Sequence, residues 1–192
     1  MNKDELTSKD LLLTLLYCPG VKEKKNEPII GRTRLTKMIF LFEKELKKEF
    51  FKEIYSYELD FEPYIFGPYS RKLFDDLKFF LSIGLIDKEE TSIPISTAEK
   101  GEYEYSLDDG LTYEDTDNTK IENYELKYFL SDNGIKYVED NVWGLFTEKQ
   151  KKQLIDFKRK INTISLDSLL NYVYNKYEKY TTKSVIAEKY KY

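Results

Sequence analysis

Apolar positions along the chain predict a succession of helices interrupted by two extended regions. Leu11, Leu12, Leu13, Leu15 and Leu16 predict a first helix from Ser8 to Tyr17, which Cys18-Pro19-Gly20 ends. After a loop of mixed charge, Gly31 and Thr33 introduce a second helix, roughly Arg34 to Phe51. Its residues Leu35, Met38, Ile39, Leu41, Phe42 and Leu46 recur at three and four and form one apolar face. Tyr55 to Phe66, rich in Tyr, Phe and Ile, reads as a short extended segment marked by Pro63 and Gly67-Pro68. Ser70 caps a third helix from Arg71 to about Ile83, with Leu73, Phe74, Leu77, Phe80 and Leu81 inward and Gly84 as its stop.

The period then changes. Leu85-Ile86 starts a strand, Gly101 to Leu107 alternates, and Asn123 to Leu130 is strand-like again. With Asp108-Asp109-Gly110 between them, the expectation is a long β-hairpin with an acidic tip. Helices are expected from Ser131 or Asp132 to Asn141, from Glu148 to Ile161, and from Leu166 to about Tyr177. Tyr180 to Tyr192 has little pattern and is expected to fray. This order predicts an α+β, mainly helical fold. It is that of a winged helix-turn-helix with a long acidic β-hairpin wing and C-terminal helices. Residues 1–130, with the hairpin at 87–130, would form the winged-helix domain, and 131–192 a helical extension packed on it.

Composition narrows the chemistry. The 192 residues contain no histidine and one cysteine, Cys18. A Ser-His-Asp triad, a Cys-His pair, a His-ligated zinc and an internal disulfide are therefore excluded. Carboxylate, Tyr, Lys or Arg chemistry remains, or none. Acids stand where a signal peptide needs an apolar stretch, and the longest apolar runs fall far short of the roughly 20 residues that cross a bilayer. The expectation is a cytoplasmic protein without a membrane partner. The abundance of Lys, Glu, Asn, Ile and Tyr suggests an AT-rich prokaryotic or viral coding sequence.

The net charge of -4 hides a segregation. Asp87 to Phe129 holds 13 acids against 4 lysines, whereas Val21 to Glu53 is net +4 and Glu148 to Tyr192 net +6. An acidic wing would repel a phosphate backbone and attract a basic protein, although a charge run can also be only a solvated face. Glu102, Glu104, Asp108 and Asp109 are the candidate partner-binding acids.

Further candidates lie on the helical part. Arg32, Arg34 and Lys37 open the second helix, where free N–H groups also favour anions, so they could contact phosphate or an acidic partner, or be ordinary solvated cations. Tyr64, Phe66 and Tyr69 around Gly67-Pro68 form either an exposed aromatic patch or a core corner. Arg71 and Lys72 would lie at the groove if the third helix bound DNA, beside Asp75 and Asp76, which weaken that case. Asp109, Glu125 and Lys127 imitate the acid…acid-x-lysine pattern of some metal-dependent nucleases. The same spacing recurs at Glu45-Leu46-Lys47, as chance allows in a chain this rich in Glu and Lys. Tyr172, Tyr174, Tyr177 and Tyr180 could stack on bases or pack on the core.

Gly31-Arg32-Thr33-Arg34-Leu35-Thr36-Lys37 before Met38-Ile39-Phe40-Leu41, then Phe66-Gly67-Pro68-Tyr69-Ser70 and a helix ending at Gly84, resembles the YwgA-like family of prokaryotic proteins. The chain is also distantly similar to the Panacea domain of SocA-type antitoxins. That domain has a Leu-x-Lys-x-x-Tyr/Phe helix and a later Tyr/Phe-Gly-Pro turn, matched here by Leu35, Lys37, Phe40, Phe66, Gly67 and Pro68. The resemblance spans roughly residues 8 to 90. It implies a mainly helical fold of winged-helix character. It also implies a role in toxin neutralisation, phage defence or mobile-element regulation through protein binding rather than catalysis. The long acidic hairpin and the late Trp143 depart from the pattern. The expectation is a non-enzymatic adaptor or antitoxin-like protein with a protein partner, without catalytic residues, metal or cofactor. A DNA-binding regulator is the alternative and a metal-dependent nuclease the remote one.

Overall fold

The computed structural model describes residues 6–46, 59–94 and 124–190. They form a mainly helical α+β architecture with a small antiparallel sheet. Helix α1, Ser8–Tyr17, begins in a capping box: the Thr7 hydroxyl accepts from the Asp10 N–H while the Asp10 carboxylate accepts from the Thr7 N–H. Every residue from Leu11 to Cys18 is buried, so α1 is a central helix surrounded by the rest of the fold.

Strand β1, Ile29–Ile30, leads into α2, Arg32–Leu41, which widens into a π turn at Phe42–Leu46. The helix starts two residues before the expected Arg34, and Arg32 and Thr33 are buried in its first turn. Its expected continuation to Phe51 lies outside the described residues. Within the expected extended segment, the described part is a tight hairpin of β2, Glu62–Tyr64, and β3, Gly67–Tyr69, turning at Ile65-Phe66. Gly67 has φ +87, and a Cβ there would meet the Tyr174 ring at 3.0 Å, so both conformation and space require glycine.

Helix α3, Arg71–Ser82, starts where the Ser70 hydroxyl accepts from the Leu73 N–H. It ends at Gly84, φ +68. Strand β4, Ile86–Pro94, pairs with β5, Tyr124–Leu130, from Ile86↔Leu130 to Glu90↔Leu126, with a register shift before Pro94↔Tyr124. Strand β1 pairs with the other side of β5, giving the sheet order β1-β5-β4. Along β5 the buried residues are Leu126, Tyr128 and Leu130, the alternation of a strand with one face on the core. The expected strand at Gly101 to Leu107 and the acidic tip lie outside the described residues.

Helices α4, Asp132–Asn141, α5, Glu148–Thr163, and α6, Leu166–Lys176, follow. One apolar core runs from α1 through α2, α3 and β5 to α4, α5 and α6. The tail departs from the expected fraying as far as Tyr190. A short turn of helix, α7, Ala187–Tyr190, buries Ala187 and Tyr190 against the core. The Val185 N–H donates to the Ile65 carbonyl at 3.0 Å, tying the tail to the β2–β3 turn. Asp167 accepts from Lys189 and from the Tyr190 hydroxyl. Local apolar spacing is sparse in the tail because its contacts are made with distant residues. Among the described residues no helix is long and apolar enough to cross a membrane.

Candidate functional site

The cations that open α2 all have internal contacts. Arg32 is buried, with its guanidinium 5.3 Å from the Phe74 ring centre. Phe74 stacks on Tyr69 and Tyr69 on Tyr64, at 5.1 and 4.7 Å, so one cation ends a run of three rings. Arg34 donates to the carbonyls of Ile161 and Ile164 at 2.6 and 2.8 Å. These lie at the C-terminus of α5, where a positive charge also meets the negative end of the helix dipole. Lys37 is fully buried, and its ammonium donates to the carbonyls of Phe66 and Pro68 at 2.8 and 3.1 Å. It lies on the buried side of α2 because Thr33, Phe40 and Leu41, three and four residues away, are buried as well.

The aromatic candidates follow from that tie. Phe66 is buried, whereas Tyr64 and Tyr69 are half-buried in the ring stack. On α3, Arg71 is exposed and Lys72 pairs with Asp60. Asp75 is exposed, whereas Asp76 is buried with Lys9 at 3.6 Å. Glu102, Glu104, Asp108 and Asp109 lie outside the described residues. At the base of the hairpin, Lys127 pairs with Glu89 across the strands at 2.6 Å. Burial pushes the half-buried Glu125 carboxyl up, and the positive charge of Arg34 opposes the shift. Among the described residues, no three His, Cys, Asp or Glu side chains are grouped to hold a metal ion.

A second buried lysine escaped the sequence reading. Lys158 on α5 is fully buried, and its ammonium donates to the carbonyls of Leu16, Cys18 and Glu27 at 2.9, 2.7 and 2.7 Å. Two of these are carbonyls that α1 leaves open at its C-terminus. Burial pushes the Lys158 ammonium down to about 8, against the opposing pull of Cys18 and Glu27. The signal was its spacing: Lys158 stands four residues after Leu154 and three before Ile161, on the inward stripe of α5. The neighbouring loop is held by two further side chains. The Glu27 carboxylate accepts from the N–H groups of Val21 and Lys22 at 2.9 and 2.6 Å. The Asn26 amide exchanges two hydrogen bonds with the backbone of Leu130, at 2.9 and 2.8 Å, much as a neighbouring strand would.

The tyrosine series divides. Tyr174 is buried, while the hydroxyls of Tyr172 and Tyr177 donate to Glu45 at 2.6 and 3.0 Å, and Tyr177 and Tyr180 pack edge-on against Phe40. What the described residues assemble is thus a set of internal cationic ties and an outward face on α3. The chain matches no protein-family model, no curated protein and no solved structure.

Proposed function

We propose that this chain is a non-enzymatic adaptor that binds a protein partner in the cytoplasm of a prokaryotic cell. The role is antitoxin-like, of the kind used in phage defence or mobile-element regulation. One observation carries the reading: Arg32, Arg34 and Lys37, the cations best suited by sequence to grip phosphate, contact internal rings and carbonyls instead. That draws these three cations away from duplex DNA. The strongly charged segment of the chain is acidic, which favours a basic protein surface.

The winged-helix part of the proposal is supported by topology. A helix, a short strand, a second helix, the β2–β3 hairpin, a third helix and a strand pair follow in that order, and β1 lies beside β5 in the sheet, which is the winged-helix order with a hairpin inserted between α2 and α3. Strands β4 and β5 would be the stem of the wing. The bonds from Lys37 to Phe66 and Pro68 support the likeness to the YwgA-like and Panacea families, because they give the lysine helix and the Gly-Pro turn a common purpose.

The test is capture by the tagged chain from its native host at moderate salt, with nuclease treatment and mass spectrometry. One stoichiometric protein surviving nuclease is expected. Replacing Glu102, Glu104, Asp108 and Asp109 together by lysine should release it, and undiminished capture would reject the acidic grip. A DNA-binding regulator is the second reading, favoured by Arg71 and Lys78, both exposed on α3. It requires affinity for DNA that falls steeply with salt, by about one slope unit per phosphate contact.

A further inference from the structure

Past α6 the chain lays residues 184–190 against that helix and the β2–β3 turn. The Tyr174 and Ser184 hydroxyls share a hydrogen bond of 2.7 Å, and the Val185 N–H donates to the Ile65 carbonyl at 3.0 Å. Asn175 donates to the Tyr190 carbonyl at 3.0 Å, and the Tyr190 ring lies 5.1 Å from that of Tyr174. Asp167 accepts from the Lys189 ammonium at 2.7 Å and from the Tyr190 hydroxyl at 2.8 Å. Asp167 stands seven residues before Tyr174 and eight before Asn175, so the three share one face of α6.

This strap is held lightly, whereas the floor beneath it belongs to the core. From Thr182 to Tyr190 only Ala187 and Tyr190 are buried, and Val185 is 59 % exposed. Helix α7 has four residues, far too few to hold a helix unaided. The Asp167 and Lys189 side chains are 67 and 62 % exposed, and an ion pair so wet adds little. Terminal segments with so few buried contacts open locally, well before the whole fold does. On α6, by contrast, Leu170, Val173 and Tyr174 are buried in the apolar core. Opening the strap would leave the Asp167 carboxylate, the Tyr174 hydroxyl, the Asn175 amide and the Ile65 carbonyl in place around an uncovered Tyr174 ring.

We propose that residues 184–190 are a displaceable internal ligand, and that the groove they cover on α6 takes a partner segment in which a lysine precedes a tyrosine. This inference rests on the protein-binding reading above and adds the place and the chemistry of one contact. The resident segment itself shows what fits: a hydroxyl for Tyr174, a backbone N–H for Ile65, a tyrosine ring against Tyr174, and a lysine that joins that tyrosine's hydroxyl on Asp167. Because it is tethered, the strap acts at high effective concentration, so a partner must compete for the groove. Segments that lack the same groups are thereby kept out.

Hydrogen exchange on the native chain is the first test. The Val185 and Lys189 amides, both hydrogen-bonded, are expected to exchange at least a hundredfold faster than those of α1 and α5. Exchange of the strap only at the rate of global unfolding would overturn the proposal. The second test uses a labelled, end-blocked peptide of residues 183–190 and the full chain carrying Lys189→Ala with Tyr190→Ala. By fluorescence anisotropy this released chain should bind the peptide at least tenfold more tightly than the native chain does, and Asp167→Ala in the released chain should lower that affinity at least fivefold. If the double variant loses the amide protection of α5, Lys189→Ala alone is used, with a gain of at least threefold expected. No binding, equal binding to native and released chains, or indifference to Asp167→Ala would overturn the groove. In capture from the native host, the released chain should recover at least threefold more of the partner than the native chain, and excess peptide should displace it. Unchanged capture, with the partner still bound, would overturn this docking site alone. Peptide binding with no protein captured by either chain would overturn the adaptor reading itself.

Discussion

Helices α2 and α3 both start with basic residues, and the two use them in opposite ways. On α2, Arg32, Arg34 and Lys37 turn into the protein and contact a ring and four carbonyls. On α3, Arg71 and Lys78 turn outward, and Lys72 pairs with Asp60 at the surface. Charge counting treats the two starts alike. Their neighbours differ: α2 is buried on nearly every side, whereas the hydrophobic residues of α3 leave a polar stripe at 71, 75, 78 and 82. A cation on an apolar stripe is a candidate internal tie, and one on a polar stripe is a candidate contact. Lys158 on α5 belongs to the first kind.

The contrast can be broken most forcefully at Lys158. Lys158→Ala leaves three buried carbonyls without their donor and opens a cavity. Its cost is expected at about 3–5 kcal/mol, read by urea unfolding with Trp143 fluorescence, since Trp143 packs 5.2 Å from Tyr17 of α1. Lys37→Met keeps most of the volume and removes the donor to two carbonyls, so a smaller loss of about 2–4 kcal/mol is expected. A loss below about 0.5 kcal/mol in either variant would mean that water or a shifted backbone takes over the bonds. Gly67→Ala, which forces a side chain at φ +87 against Tyr174, should cost about 1–3 kcal/mol in the same assay.

A pH series sharpens the same contrast more gently. Lys158 holds its proton up to about pH 8 when folded, against 10.5 ordinarily. Above pH 8 the unfolded state therefore binds the extra proton, and stability rises with pH. Burial pushes the Cys18 thiol the other way, up to about 11 from 9, so above pH 9 the folded state keeps a proton that the unfolded state loses. Stability is expected to rise by about 1 kcal/mol between pH 8 and 9 and then level off. Cys18→Ala should let the rise continue past pH 9, and Lys158→Met should abolish it. The smallest effect belongs to the outward cations. Arg71→Glu with Lys78→Glu should change stability by no more than about 0.5 kcal/mol while altering partner association and its salt dependence.

Much of the helical frame could be read from apolar spacing and caps. The predicted bounds of α1 coincide with the observed Ser8–Tyr17, and α4 ends at Asn141 as expected. In both, a side-chain cap marks the start, and in α1 Cys18-Pro19-Gly20 also marks the end. Spacing could not reveal features whose partners are far away in sequence. Asn26 has its partner at Leu130, the tail is held by Ile65 and Asp167, and the β2–β3 turn depends on Lys37 and Tyr174. The candidate cations were found by type and position. Their internal use became evident only with the carbonyls they reach.

The three bonds of Lys158 have a consequence during synthesis. Their carbonyls lie 142, 140 and 131 residues earlier in the chain. At about 5–20 residues per second, the ribosome takes on the order of 7–30 s to travel from the end of α1 to its cap. Helix α1, made well before α5, is thus completed only when α5 arrives, and a nascent chain stopped before α5 would carry an apolar helix with open carbonyls. A chaperone that recognises apolar segments would find its strongest claim on this protein in that interval.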